Sequence, residues 1–272
     1  PYTKRIYNVS LYIRISESEL NFAHYDPAAD ADFQFFTHHV SPQSPLTVNL
    51  RGAAQQVPLL QDYAGRVEVL AGVPVTPVPL ADFQEEDAAT FYDFCFEPEG
   101  SRRVFYDTVP AINTVFLFAL PENTCRTLEE VFGAASIHYT AALTPVMLTF
   151  AGKGLSAGNG KRIFLYVHDE MTDVAVLEGN RLIMLNAFAV RALTDVAYYT
   201  FNMVSHLATD ISQTPVFVAG PAALRDPVVT ELQHYAGKVY AIQPAADFNR
   251  HVVSTTPGVP YDLMCALLRR RA

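Results

Sequence analysis

The sequence predicts a two-domain α/β protein. Strand-like and helix-like segments alternate, which points to mixed sheets covered by helices. The order β-β-β-α-β-α occurs twice along the chain. A Gly-rich polar run, AGKGLSAGNGK at 151–161, separates the two copies and reads as a linker. The length of 272 residues suits two such units.

The first copy opens with IYNVSLYIRISESELNFAHYD, two β-rich runs around the turn Ser16-Glu17-Ser18-Glu19. DFQFFTHHV supplies a third strand after Asp26-Pro27. VNLRGAAQQVPLLQDYAG has apolar residues at helical spacing, interrupted by Pro58. RVEVLAG reads as a strand, and ADFQEEDAATFYDFCF as a helix capped by Asp82. VFYDTVP and NTVFLFAL form an expected strand pair, before the helix PENTCRTLEEVFG and the strand SIHYTAAL. In the second copy KRIFLYVHDEMTDVAVLEGNRLIMLNAF gives three strands and two tight turns. The helix RALTDVAYYTFNMVSHLATD, the strand TPVFVAG, the helix DPVVTELQHYAG with Pro227 in its first turn, the strand KVYAIQP and the helix YDLMCALLRRR complete it. The expected boundaries are a first domain at 1–150 with a small added subdomain near 102–140, a linker at 151–160, and a second domain at 161–272.

Composition narrows the function classes. The net charge of −9 argues against nucleic-acid or anionic-membrane surfaces, which need clustered Lys and Arg. Its one basic run, Arg269-Arg270-Arg271, reads as a solvated helix end. Cys95, Cys125 and Cys265 are odd in number and form no C-x-x-C pair, as expected of free thiols in a reducing compartment. No apolar run is long enough for a membrane span, and no signal-peptide pattern opens the chain. It begins at Pro1 rather than Met, as expected if a start residue or short segment is missing. Cytoplasmic location, no membrane insertion and no nucleic-acid partner are the resulting expectations.

Local motifs resolve mostly to structural readings. Gly158-Asn159-Gly160-Lys161 is followed by Arg162 and a strand, not by the Ser/Thr and helix of a phosphate loop. His168-Asp169-Glu170 reads as a solvated hairpin tip, because adjacent turn residues rarely converge on one ion. DPAADAD at 26–32 lacks the glycine and closing glutamate of a calcium loop. No Ser or Cys sits in a glycine elbow, so no nucleophile is expected.

The element order resembles that of the actin-like ATPase superfamily, built from two ribonuclease-H-like domains. TVFLFALPENTCRTLEEVFGAASIHYTAAL is similar to the segment before the second domain in the bacterial pilus-assembly and cell-division actin homologues. YVHDEMTDVAV lies over that family's second phosphate hairpin, D-I-G-x-G-x-T-D-L-x-V. More closely, the whole chain resembles an uncharacterised Bacteroidetes family with an actin-like fold.

The resemblance implies where nucleotide chemistry would sit. Each hairpin would need a metal-holding aspartate and glycines whose N–H groups approach phosphates. In the first hairpin Tyr12 stands for the aspartate, Arg14 for a glycine, and Ser16 follows. In the second, Tyr166 stands for the aspartate and His168 and Glu170 for the glycines, while Thr172 and Asp173 keep the pattern. A Gly-Gly adenosine contact is matched by Gly220-Pro221. These replacements lead to the expectation of a non-catalytic scaffold or adaptor with no metal or cofactor. It would act through a protein partner, with a homodimer or larger assembly as further options. The alternative is a nucleotide or small-molecule binder using Arg14, Thr172 and Gly220, with weak ATPase activity a third reading.

Overall fold

The computed structural model describes residues 10–26, 33–60, 63, 65–97, 100–133, 137–152, 160–207 and 209–269. The first sheet contains β1 (Ser10–Ile15), β2 (Glu19–Tyr25), β3 (Phe33–His39) and, after helix α1 (Leu46–Gln56), β4 (Arg66–Ala71). An insertion follows: β5 (Thr76–Pro79), α2 (Ala88–Cys95), β6 (Arg102–Val109) and β7 (Thr114–Pro121). Then come α3 (Glu122–Phe132), β8 (Ile137–Ala141) and α4 (Leu143–Gly152). The second half holds β9 (Lys161–His168), β10 (Met171–Glu178), β11 (Arg181–Ala189), α5 (Leu193–Ser205), β12 (Val216–Ala219), α6 (Ala222–Leu232) and β13 (Val239–Ala241). Short helices α7 (Pro244–Asp247) and α8 (Val252–Thr255) lead to α9 (Tyr261–Leu268).

Both main sheets have the same plan. Their strand orders are β3-β2-β1-β4-β8 and β11-β10-β9-β12-β13. In each, the first three strands are antiparallel and the last two run parallel to the first. The repeated unit expected from sequence is therefore present twice.

Period-two alternation decides which residues face which layer. Leu11, Ile13, Val67 and Val69 pack with Leu50 and Ala53 of α1 and Leu128 of α3 on one face of the first sheet. Ile163, Leu165, Val174 and Val176 pack with Val196 of α5 and Val228 of α6 on one face of the second. The opposite faces share a single apolar cluster that includes Leu70, Met147, Phe150, Phe164, Tyr166, Leu263 and Cys265. Helices α4 and α9 supply its middle layer and pack on each other.

Several boundaries differ from the sequence expectation. The small sheet, β5-β7-β6, begins at Thr76 and ends at Pro121, whereas Ile137–Ala141 pairs with β4 in the first main sheet. Two prolines in the four residues of β5 hid that strand. Asp82 does not cap α2; its N–H bonds the Pro79 carbonyl in a turn, and the helix starts at Ala88. Helix α6 begins at Ala222 and carries Pro227 in its interior. Helix α4 was not foreseen, since burial on several sides leaves LTPVMLTFAG almost uniformly apolar. Residues 153–159 of the expected linker, 27–32 of the DPAADAD run and 270–271 of the basic run lie outside the described residues.

Candidate functional site between the domains

Two hairpin ends from the two main sheets meet at one ion-pair network. Arg14 lies near the end of β1 and is 2% exposed. Its Nη2 donates to Asp169 Oδ2 at the β9–β10 turn, and its Nε to Asp262 Oδ2 in the first turn of α9, each at 2.7 Å. His168 continues the chain, with Nδ1 3.0 Å from Asp169 Oδ2 and Nε2 2.7 Å from Asp173 Oδ2. Asp262 is completely buried, and its Oδ1 accepts the Leu263 N–H at 2.6 Å.

Tyr166 closes the floor of this network. The ring is buried, stacks on His168 at 4.3 Å, and its hydroxyl accepts the Asp262 N–H at 3.3 Å. Tyr261 lies 6.1 Å from it in a tilted arrangement. Burial drives the Tyr166 phenol far above its ordinary pKa, so it stays protonated.

The charges hold one another in place. Burial alone would lower the His168 pKa, but its bonds to Asp169 and Asp173 outweigh that and raise it to about 9. Burial alone would raise Asp169, yet bonds from His168 and Arg14 keep its carboxyl below the usual range. The Arg14 guanidinium is opposed by burial and held charged by Asp262, with Asp169 assisting. Two cations thus face the three carboxylates Asp169, Asp173 and Asp262.

The positions singled out from sequence separate into groups. Arg14, Tyr166, His168 and Asp173 converge, and Tyr12 packs half-buried against the same apolar cluster. Thr172 is in phase with Val174 and Val176 on β10, on the sheet face turned away from the network. Ser16 serves its own turn, accepting the Glu19 N–H at 3.2 Å. Glu170 is exposed, and its carbonyl accepts from Val190. His168 and Asp169 are not a solvated tip as expected: His168 is buried between Asp169 and Asp173 of its own hairpin, and Asp169 also takes Arg14 from β1. Gly220 has φ +138°, and a Cβ there would lie 2.2 Å from the Val167 carbonyl oxygen. Pro221 immediately precedes α6, its carbonyl accepting from the Arg225 N–H at 2.8 Å. Asp262 was missed from sequence; it lies 248 positions from Arg14 with no local motif to mark it. Among the described residues, no group of three or more His, Cys, Asp or Glu is arranged to hold a metal ion, and no helix is long and apolar enough to cross a membrane.

Residues 2–239 match the family described as Protein of unknown function (DUF3822). The chain belongs to that family. It is similar to a Bacteroides thetaiotaomicron protein with an actin-like ATPase fold and unknown function, at 22% identity over 92% of this chain and 97% of that one, with a TM-score of 0.80. A PilM–PilN type IV pilus biogenesis complex also resembles it, at 14% identity over 95% and 97% of the chains, with a TM-score of 0.51. No curated protein sequence matches the chain. At these identities the likeness establishes the fold, and this DUF3822 member has an actin-like ATPase fold.

Proposed function

We propose that this protein is a non-catalytic scaffold or adaptor whose interdomain cleft is closed by its own side chains. The observation that carries this reading is Arg14 bonded at once to Asp169 and Asp262, joining the two hairpins that would cradle phosphates. A magnesium nucleotide does not suit this donor set. Tyr166, where a metal-holding aspartate would stand, is a buried protonated phenol that offers no anionic oxygen. The carboxylates Asp169 and Asp173 belong to the same hairpin and are already held by Arg14 and His168, so taking a metal ion would break those bonds.

The binder alternative needs Arg14, Thr172 and Gly220 to converge on a ligand. Arg14 is engaged and Thr172 is in phase with the opposite sheet face, so the geometry favours the scaffold. A body of this kind would act through a protein partner or a second copy, in the cytoplasm. The solved pilus-biogenesis complex gives the same broad fold a setting with a bound partner, in another protein.

Calorimetric titration with MgATP, MgADP and free ATP tests the reading. The expected result is no saturable heat. Binding tighter than about 100 μM that disappears in Arg14→Glu would replace the scaffold with a nucleotide binder.

A further inference from the structure

The insertion carries a surface that the closed cleft does not explain. Helix α2 packs inward through Ala88 and Tyr92, which join Val78, Val115, Leu117 and Ala119 in a small separate core. Its other side is unusual. Phe94 is 92% exposed, and Phe91, three residues earlier and hence on a neighbouring ridge, is 37% exposed. At the sheet below, Tyr106 is 38% exposed and tilts against Phe83 at 5.0 Å. An aromatic ring left almost wholly in water on a regular helix loses the transfer free energy that the core would have gained.

The exposed charges on the same stretch of chain have one sign. Asp82, Glu85, Glu86, Asp87, Asp93 and Glu97 are all exposed, and residues 80–97 contain no Lys, Arg or His. Arg102, the nearest base in sequence after this run, is spent internally: it lies over Tyr92 at 4.9 Å and bonds Asp93 and the Phe96 carbonyl. Among the described residues the other five acids form no ion pair. Exposed aromatics carried on an acidic segment complement an apolar pocket rimmed by Lys and Arg.

We propose that the outer face of α2 docks a protein segment that is basic and presents such a pocket. This rests on the scaffold reading and names the surface and the chemistry of its partner. A second copy of this chain is the poorer match. It shares the net charge of −9, and several of its arginines (Arg14, Arg51, Arg66, Arg103 and Arg225 among them) are already in ion pairs.

Site-specific photocrosslinking tests this in the whole chain, in a freshly prepared extract of the cells it comes from. A benzoylphenylalanine is placed at Phe94 and, as a control, at Tyr198, an exposed aromatic on α5. Adducts at position 94 should exceed those at 198 about tenfold, and the crosslinked peptides should carry net positive charge. The yield should fall severalfold when salt is raised from about 0.1 to 0.5 M before irradiation, as screening requires. Glu86→Lys with Asp87→Lys should lower it similarly without altering the far-ultraviolet spectrum. Overturning results are adducts no more frequent than at 198, adducts to acidic segments, lipid or another copy of this chain, or a yield indifferent to salt. Any of these, with no heat from MgATP, removes the α2 surface and leaves the closed cleft standing. Heat from MgATP alone would do the reverse.

Discussion

Arg14 and Asp262 are each almost fully removed from water, and their charged groups lie 2.7 Å apart. Such a pair adds little net stability compared with a well-packed apolar pair, but breaking it strands a buried charge. Arg14→Met should therefore destabilise the protein by about 3–5 kcal/mol, read from the urea midpoint at constant slope. A second residue is fixed by backbone geometry. Gly220 combines a positive φ with close approach to Val167, so Gly220→Ala should cost about 1–3 kcal/mol or more in the same measurement. The glycine was legible in VFVAGP as a position of consequence. Its role here, packing a strand end against Val167, needed the fold. Arg14 was legible as a residue out of place in a phosphate hairpin, while both its partners were invisible because they are 155 and 248 positions away.

The β9–β10 hairpin shows what a sequence conveys about an element and what it leaves out. Two β-rich runs and the two-residue turn at Asp169-Glu170 identify both strands, and Asp169 takes the left-handed φ of 48° seen in such turns. The period-two geometry of the strands places Tyr166, His168 and Asp173 on one face and Thr172 on the other, a separation that motif alignment overlooks. Burial of His168 and partial burial of Asp169 were not legible, because HDE at a turn ordinarily means solvent. The pairing makes the hairpin pH-sensitive. His168 has a folded pKa of about 9 against an ordinary 6.5, so its contribution is complete below about pH 6.5 and is lost as pH rises through about 9. Unfolding free energy should fall by roughly 3 kcal/mol across that window, because each tenfold gain in proton affinity on folding corresponds to about 1.4 kcal/mol. His168→Gln should flatten the dependence; an unchanged slope in that variant would place the titration elsewhere.

At the scale of the molecule, the sequence carried the duplication, since two copies of one element order surround a glycine-rich run. It did not carry how firmly the halves join. That depends on contacts between distant segments: the shared cluster around α4 and α9, the Tyr25 hydroxyl 2.8 Å from His251 Nε2, and β11 lying against β5 of the insertion. Helix α4 escaped notice because it is buried between the sheets, where amphipathic period disappears. On the scaffold reading, the apolar core, the ion pairs and the insertion that bridge the halves would hold the arrangement closed without a ligand.

Hydrogen exchange of the backbone amides around Arg14, Tyr166 and Leu263, with and without MgATP, tests that closure most directly. A cleft closed by its own residues predicts exchange only through global unfolding, at rates identical in both conditions. Rapid exchange in the free protein, slowed when MgATP is added, would contradict it.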